Sequence, residues 1–231
     1  MEEVDALKHL HGFSLESQEG SFSFTEDGPE AKVKSLTVEA NGVTFYYADG
    51  DAIKGLENLW KKNKYFLMHK NADGIVVFDK DAQRHLLLCE MKSSMGEIKN
   101  KGINQVVAGY LRMAVLLSAC KGKDVLEHKT VFVFTSQPTS TEERRRLQEI
   151  QMLESNKDVM DKSIPLIDKI VYRLYKSVGN TFEMPLRMLC PDVHRDLVHV
   201  KESLLDARIQ WRLLMPIDAA TTAVKLDVNM I

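Results

Sequence analysis

The chain has 231 residues, 44% of them apolar and 28% charged, with a formal net charge of −2. That is enough for one globular domain with a sizeable core, and no apolar run is long enough for a membrane-spanning helix. The near-neutral balance argues against a protein that coats nucleic acid by bulk charge, though not against a local basic groove.

Cys89, Cys120 and Cys190 lie far apart with no C-x-x-C pair. Neither a zinc ribbon nor a disulfide framework is indicated. The start, "MEEVDALKHLHGF", lacks the basic-then-apolar pattern of a secretory signal, so a cytoplasmic location is expected.

In chain order, residues 1–11 read as a short helix. "KVKSLTVEANGVTFYY" (32–47) carries Asn41-Gly42 between two strand-like runs, which predicts an N-terminal hairpin. "DGDAIKGLENLWKKN" (49–63) has apolar residues on one side of a helix, with acids early and lysines late. "GIVVFD" (74–79) is an apolar strand, "DKDAQ" a turn, and "HLLLCEM" (85–91) the next strand. A long helix follows over 103–122, then a buried strand over 129–138. Ser140 ahead of Glu143 marks a capping box for a helix over 139–155, and another helix is predicted over 164–178. The final third of the mixed segment ending in "ARIQW" looks helical, and 223–231 is a candidate closing strand. The order predicts an α/β or α+β fold with a central mixed sheet flanked by helices.

The stretch "LLLCEMKSS" (86–94) places Glu90 and Lys92 at the end of an apolar strand. E-x-K occurs four times in the chain, and only this copy closes an apolar strand that follows another. A hairpin turn centred between Asp81 and Ala82 pairs 79 with 84, 77 with 86 and 75 with 88. The same register puts Asp73 opposite Glu90, and Lys92 projects on the face of Glu90. A one-residue slip would separate the three.

Two carboxylates this close repel unless a cation lies between them. Oxygen-only ligation suits Mg²⁺ or Mn²⁺, with the Met91 carbonyl as a further ligand. Such a metal lowers the pKa of a bound water and polarises a phosphate. A lysine beside it can orient the attacking water or neutralise developing charge. This is the chemistry of phosphodiester hydrolysis.

"ADGIVVF…LLLCEMK" resembles the PD-(D/E)xK nuclease superfamily, over roughly residues 51–136. The resemblance implies a restriction-endonuclease-like core and metal-dependent cleavage of nucleic acid, usually DNA. Asp73 stands at the motif Asp position and Glu90 and Lys92 at the E-x-K positions, while the frequent preceding proline is Ala72. Many members add an acid from the preceding helix, for which Glu57 is the candidate. RecB-like members carry Q-x-x-x-Y. Here Gln105 and Tyr110 are one residue too far apart, which turns Tyr110 about 140° from Gln105 on a helix. Gln105 alone remains a candidate for the site.

Lys99, Lys101 and the lysines of 61–64 are candidate phosphate contacts, and the arginines at 144–146 read as a solvated helix face. The histidines suggest no zinc site. The segment 139–231 lies outside the resemblance and reads as a helical extension of a single 1–231 domain. Its helices are open to packing on the sheet, forming a homodimer interface or selecting substrate. The competing function is a non-catalytic module on the same fold that binds nucleic acid or a protein.

Overall fold

The computed structural model describes residues 2–11, 15–29, 31–49, 67, 70–137, 140–156, 160, 162–189, 197, 199–216, 218 and 220–231. The protein is a mixed α/β structure whose large mixed sheet is flanked by helices. The strands are β1 (Glu16–Thr25), β2 (Ser35–Asp49), β3 (Gly74–Lys80), β4 (Gln83–Met91), β5 (His128–Thr135), β6 (Thr181–Pro185), β7 (Arg208–Leu214) and β8 (Ala223–Asp227). They join one sheet in the order β1-β2-β3-β4-β5-β7-β6, with β8 also paired to β2. β4, β5 and β7 run parallel, and β1 to β4 form an antiparallel run.

Helix α1 (Glu2–His11) packs on the same core as the long helix α3 (Ile103–Ser118). α3 is preceded by the single-turn α2 (Met95–Glu97) and a π-helical turn over Ile98–Gly102. The helices α4 (Thr141–Leu153), α5 (Leu166–Lys176) and the short α6 (Glu202–Leu205) follow. Leu86 and Leu88 face α3, whereas Leu87 and Cys89 face a second core shared with Phe22, Leu36 and Leu226. Both faces of β4 are therefore covered, which explains its unbroken apolar run. Each such leucine contributes about 1.5–3 kcal/mol by leaving water.

The β3–β4 register is the one the sequence predicts: Gly74 opposes Cys89, Val77 opposes Leu86, and Lys80 opposes Gln83. Asp81 (φ 52°) and Ala82 (φ 59°) form the two-residue turn. Positive φ at both central positions is the type I′ geometry that matches strand twist and fixes register.

Three expectations are corrected. Asn41-Gly42 does not turn a hairpin; it lies inside the single long strand β2. Between Glu19/Thr44 and Ser21/Glu39 the register shifts, so residues 40–43 bulge opposite Gly20. Gly42 still takes positive φ (69°), because a bulge needs the same backbone freedom as a turn. The partner of β2 is instead β1, a strand the sequence reading missed. The segment ending in "ARIQW" is helical only over Glu202–Leu205, and Arg208–Leu214 is strand β7. The 139–231 segment is accordingly not a helical appendage: it adds β6, β7 and β8 to the sheet. Trp211 anchors β7, stacked near Phe134 with its ring N–H donating to the Met184 carbonyl at 3.2 Å.

The closing strand β8, the helix over Leu166–Lys176 and the capping box at Ser140 and Glu143 are present. The long helix stops at Ser118, short of Gly122, whose positive φ (68°) falls in the following turn. Of the expected helix over 49–63, Asp49 ends β2 and the rest lies outside the described residues, and with it Glu57 and the lysines of 61–64. Among the described residues, no helix is long and apolar enough to cross a membrane.

Candidate active site

The backbone pairing of β3 with β4 ends at Gly74 and Cys89, and side chains continue the ladder beyond it. The Met91 N–H donates to Asp73 Oδ2 at 2.7 Å, and the Asp73 N–H donates to Glu90 Oε2 at 3.3 Å. Each carboxylate satisfies a backbone donor of the opposite strand. Lys92 closes the group: its ammonium pairs with Glu90 Oε1, lies 3.5 Å from Asp73 Oδ2, and donates to the Met91 carbonyl at 3.2 Å. The predicted trio thus occupies one cluster.

Burial sets the electrostatics. Glu90 is fully buried, whereas the Asp73 and Lys92 side chains are 23% and 14% exposed, so water and a ligand reach the group from their side. Burial pushes the Glu90 carboxyl well above the usual carboxylate range, and the Asp73 charge adds to this. Burial also raises Asp73, against the Lys92 ammonium that works to lower it, and Glu26 adds negative potential. Burial opposes the charge on Lys92, yet the Glu90 and Asp73 charges outweigh it and hold its pKa up.

The segment after β4 brings backbone close to this group. A Cβ at Gly102 would lie 3.3 Å from Glu90 Cγ and 3.7 Å from Lys92 Cγ. Gly102 ends the π-helical turn, an irregularity common at functional sites. The turn is held from outside: Lys99 pairs with Asp168 at 2.6 Å, and the Gly96 N–H donates to Glu143 Oε1 at 3.3 Å. Lys99 thus pairs with α5. The arginines of 144–146 are solvated as expected, Arg145 and Arg146 pairing with Glu149.

Of the trio Asp73, Glu90 and Lys92, Asp73 lines a cavity of about 710 Å³. Asp73, Met91, Lys101 and Gln105 line it, as do Glu16, Glu26, Phe24, Tyr47, Lys70 and Asn71. Gln105 Nε2 donates to the Asn71 carbonyl at 2.7 Å, so Gln105 tethers the segment that delivers Asp73. Tyr110 is buried in the core, edge-on to Phe132, and takes no part. Glu16, Glu26, Phe24 and Tyr47 come from β1, its exit and β2, and no spacing links them to E-x-K. The alternation in "SFSFT" (21–25) was the available sign that Phe22 and Phe24 turn inward.

The donor set is chemically selective. Among the described residues, no three or more His, Cys, Asp or Glu group together as a metal cage. Two carboxylates and a carbonyl do fit Mg²⁺ or Mn²⁺, which take hard oxygens and complete their shell with water and phosphate. Lacking the histidine or cysteine donors that zinc sites are usually built on, they suit Zn²⁺ less well. Comparison with protein-family models, curated proteins and solved structures finds no match to this chain.

Proposed function

We propose that the protein is a metal-dependent nuclease of the PD-(D/E)xK type, on a restriction-endonuclease-like core, that hydrolyses phosphodiester bonds of nucleic acid, with DNA the expected substrate. The observation that carries this reading is the convergence of Asp73, Glu90 and Lys92 at one end of the β3–β4 hairpin, where Asp73 lines a cavity.

Asp73, Glu90 and the Met91 carbonyl would hold Mg²⁺ or Mn²⁺. When bound, the ion supplies an acidified water and polarises the scissile phosphate. Lys92, charged and fixed by its two carboxylates, donates toward the attacking oxygen or the phosphate oxygen that gains charge. Gln105 holds Asn71 and thereby the Asp73 backbone. Lys70 and Lys101 supply cationic groups at the cavity for flanking phosphates.

One observation favours a second reading, a non-catalytic binding module. Lys92 already compensates both carboxylates by direct contact, as it would in a closed ion-pair group. Mn²⁺ titration calorimetry on wild type, Asp73→Asn and Glu90→Gln separates the two. The nuclease reading expects uptake in wild type that both variants lose. No uptake with or without DNA, alongside DNA retardation in EDTA, favours the module.

A further inference from the structure

We infer that the cavity beside the Asp73–Glu90–Lys92 group is a stacking site for an unpaired base, so that the protein's substrate is single-stranded nucleic acid or a single-stranded flap. This rests on the nuclease reading and names its substrate class.

β1 and β2 lie outside the hairpin that carries the charged trio. Tyr47 lines the cavity and is only half-buried. Phe22 covers one face of its ring, stacked at 4.2 Å with planes 11° apart. Phe24 packs edge-on at 6.1 Å, and burial together with the neighbouring Glu16 carboxylate pushes the Tyr47 hydroxyl pKa up. The ring is therefore supported from behind by Phe22 and Phe24, and it forms part of the cavity wall. A rigid aromatic surface with its own support is what nucleobases stack on.

The wall meets the charged group at the end of the sheet: Tyr47 sits on the face of Phe22, Asp73 and Glu90 continue the face of α3, and Tyr47 and Asp73 both line the cavity. Phe24 lies so close to Gly74 that a Cβ there would overlap its ring, and Gly74 follows Asp73. In the β2–β3 register Tyr47 opposes Val76, three positions from Asp73. That is about 10 Å along the strand, within reach of a nucleotide flanking the scissile phosphate.

Charge and size agree with this occupant. Lys70 and Lys101 line the same cavity and suit a phosphate backbone. A volume of about 710 Å³ is that of a small-ligand site, large enough for a nucleotide. In an intact duplex both faces of each base are covered by its neighbours, so none is offered to Tyr47 unless it is unstacked at a cost of a few kcal/mol.

The test is fluorescence anisotropy with a labelled single-stranded DNA oligonucleotide, its RNA counterpart and the matching DNA duplex, in Ca²⁺ and in EDTA. Wild type, Tyr47→Ala and Tyr47→Phe are compared, with folding checked by circular dichroism. The inference expects a single strand to bind at least about tenfold tighter than the duplex. Tyr47→Ala should lose about 5- to 150-fold, the value of one base–aromatic stack, and Tyr47→Phe should restore it. An oligonucleotide carrying 2-aminopurine should be quenched by wild type, a readout that does not depend on the variants folding. Equal or tighter duplex binding with unquenched 2-aminopurine would overturn the stacking site. Metal-dependent duplex cleavage in that case would leave the nuclease reading standing, whereas absence of cleavage on every substrate would remove that reading instead.

Discussion

Asp73 and Glu90 each complete the other's strand: the Asp73 N–H donates to the Glu90 carboxylate, and the N–H of Met91, next to Glu90, donates to the Asp73 carboxylate. Two groups that repel are thereby fixed in place by backbone that would otherwise lose its partners. The Lys92 ammonium, in contact with both, offsets part of their repulsion.

Glu90→Gln tests this directly. Gln keeps an oxygen for the Asp73 N–H, and Lys92 keeps Asp73 as its partner, while one buried charge is removed. Stability in EDTA is expected to hold or to rise by about 1 kcal/mol, as often happens when a functional site is neutralised. Cleavage should fall at least about a hundredfold. Both carboxylates titrate above their usual range, so protons compete with the metal and uptake should weaken as pH falls from neutral toward mildly acid values. Calorimetry at two pH values checks the sign. A large loss of stability in the variant would mark the group as a structural ion pair.

Gly102→Ala separates packing from stability. The backbone there is helical (φ −58°), so alanine gains up to about 1 kcal/mol of helix propensity. Its methyl would crowd Glu90 Cγ at 3.3 Å while meeting Lys92 Cγ at an ordinary contact distance. The expected result is a melting temperature within a few degrees of wild type and cleavage reduced about tenfold, because small misplacements of catalytic groups are costly. Unchanged cleavage would mean the π-helical turn does not set the site.

Ala82→Gly concerns the turn that fixes the register. Ala82 sits at φ 59°, a left-handed conformation that costs an L-residue about 1–2 kcal/mol. Glycine should recover about 1 kcal/mol and raise the melting temperature by about 2–4 °C. A thermal shift assay decides it, and a loss of stability would contradict the type I′ turn.

His85 makes stability depend on pH away from the site. It is buried against Phe78, with ring centroids 4.7 Å apart, and burial, with Lys129 and Lys80, lowers its pKa from 6.5 to about 4. The unfolded chain therefore binds a proton that the folded chain refuses. The contribution is present above pH 6.5 and is lost as pH falls toward 4. It amounts to about 3 kcal/mol at most. Urea unfolding of wild type and His85→Phe across this range should show a shallower pH dependence in the variant. Identical slopes would show that His85 is not held neutral.

The hairpin register and the trio it gathers were legible because they depend on local facts: two apolar runs, a two-residue turn and the period-2 alternation of side chains. The rest of the cavity was not, because it is built by pairing distant segments. Glu16 and Glu26 reach Asp73 only once β1 has docked on β2, and β1 is too polar at "ESQEGS" to announce itself. Asn41-Gly42 misled for a physical reason, since turns and bulges ask the same of a glycine. β7 could have been found: Ile209, Trp211 and Leu213 alternate, and all three are fully buried. The pairing of Lys99 with Asp168 joins segments some 70 residues apart, and nothing in the spacing signals it.

The most direct measurement is cleavage of end-labelled DNA, single-stranded and duplex, and of RNA, by wild type, Glu90→Ala and Lys92→Ala in Mg²⁺, Mn²⁺ or EDTA. The account predicts cutting by wild type that requires the metal and is lost in both variants. Cutting that survives EDTA or the Lys92→Ala change, or no cutting of any substrate by folded protein, would contradict it.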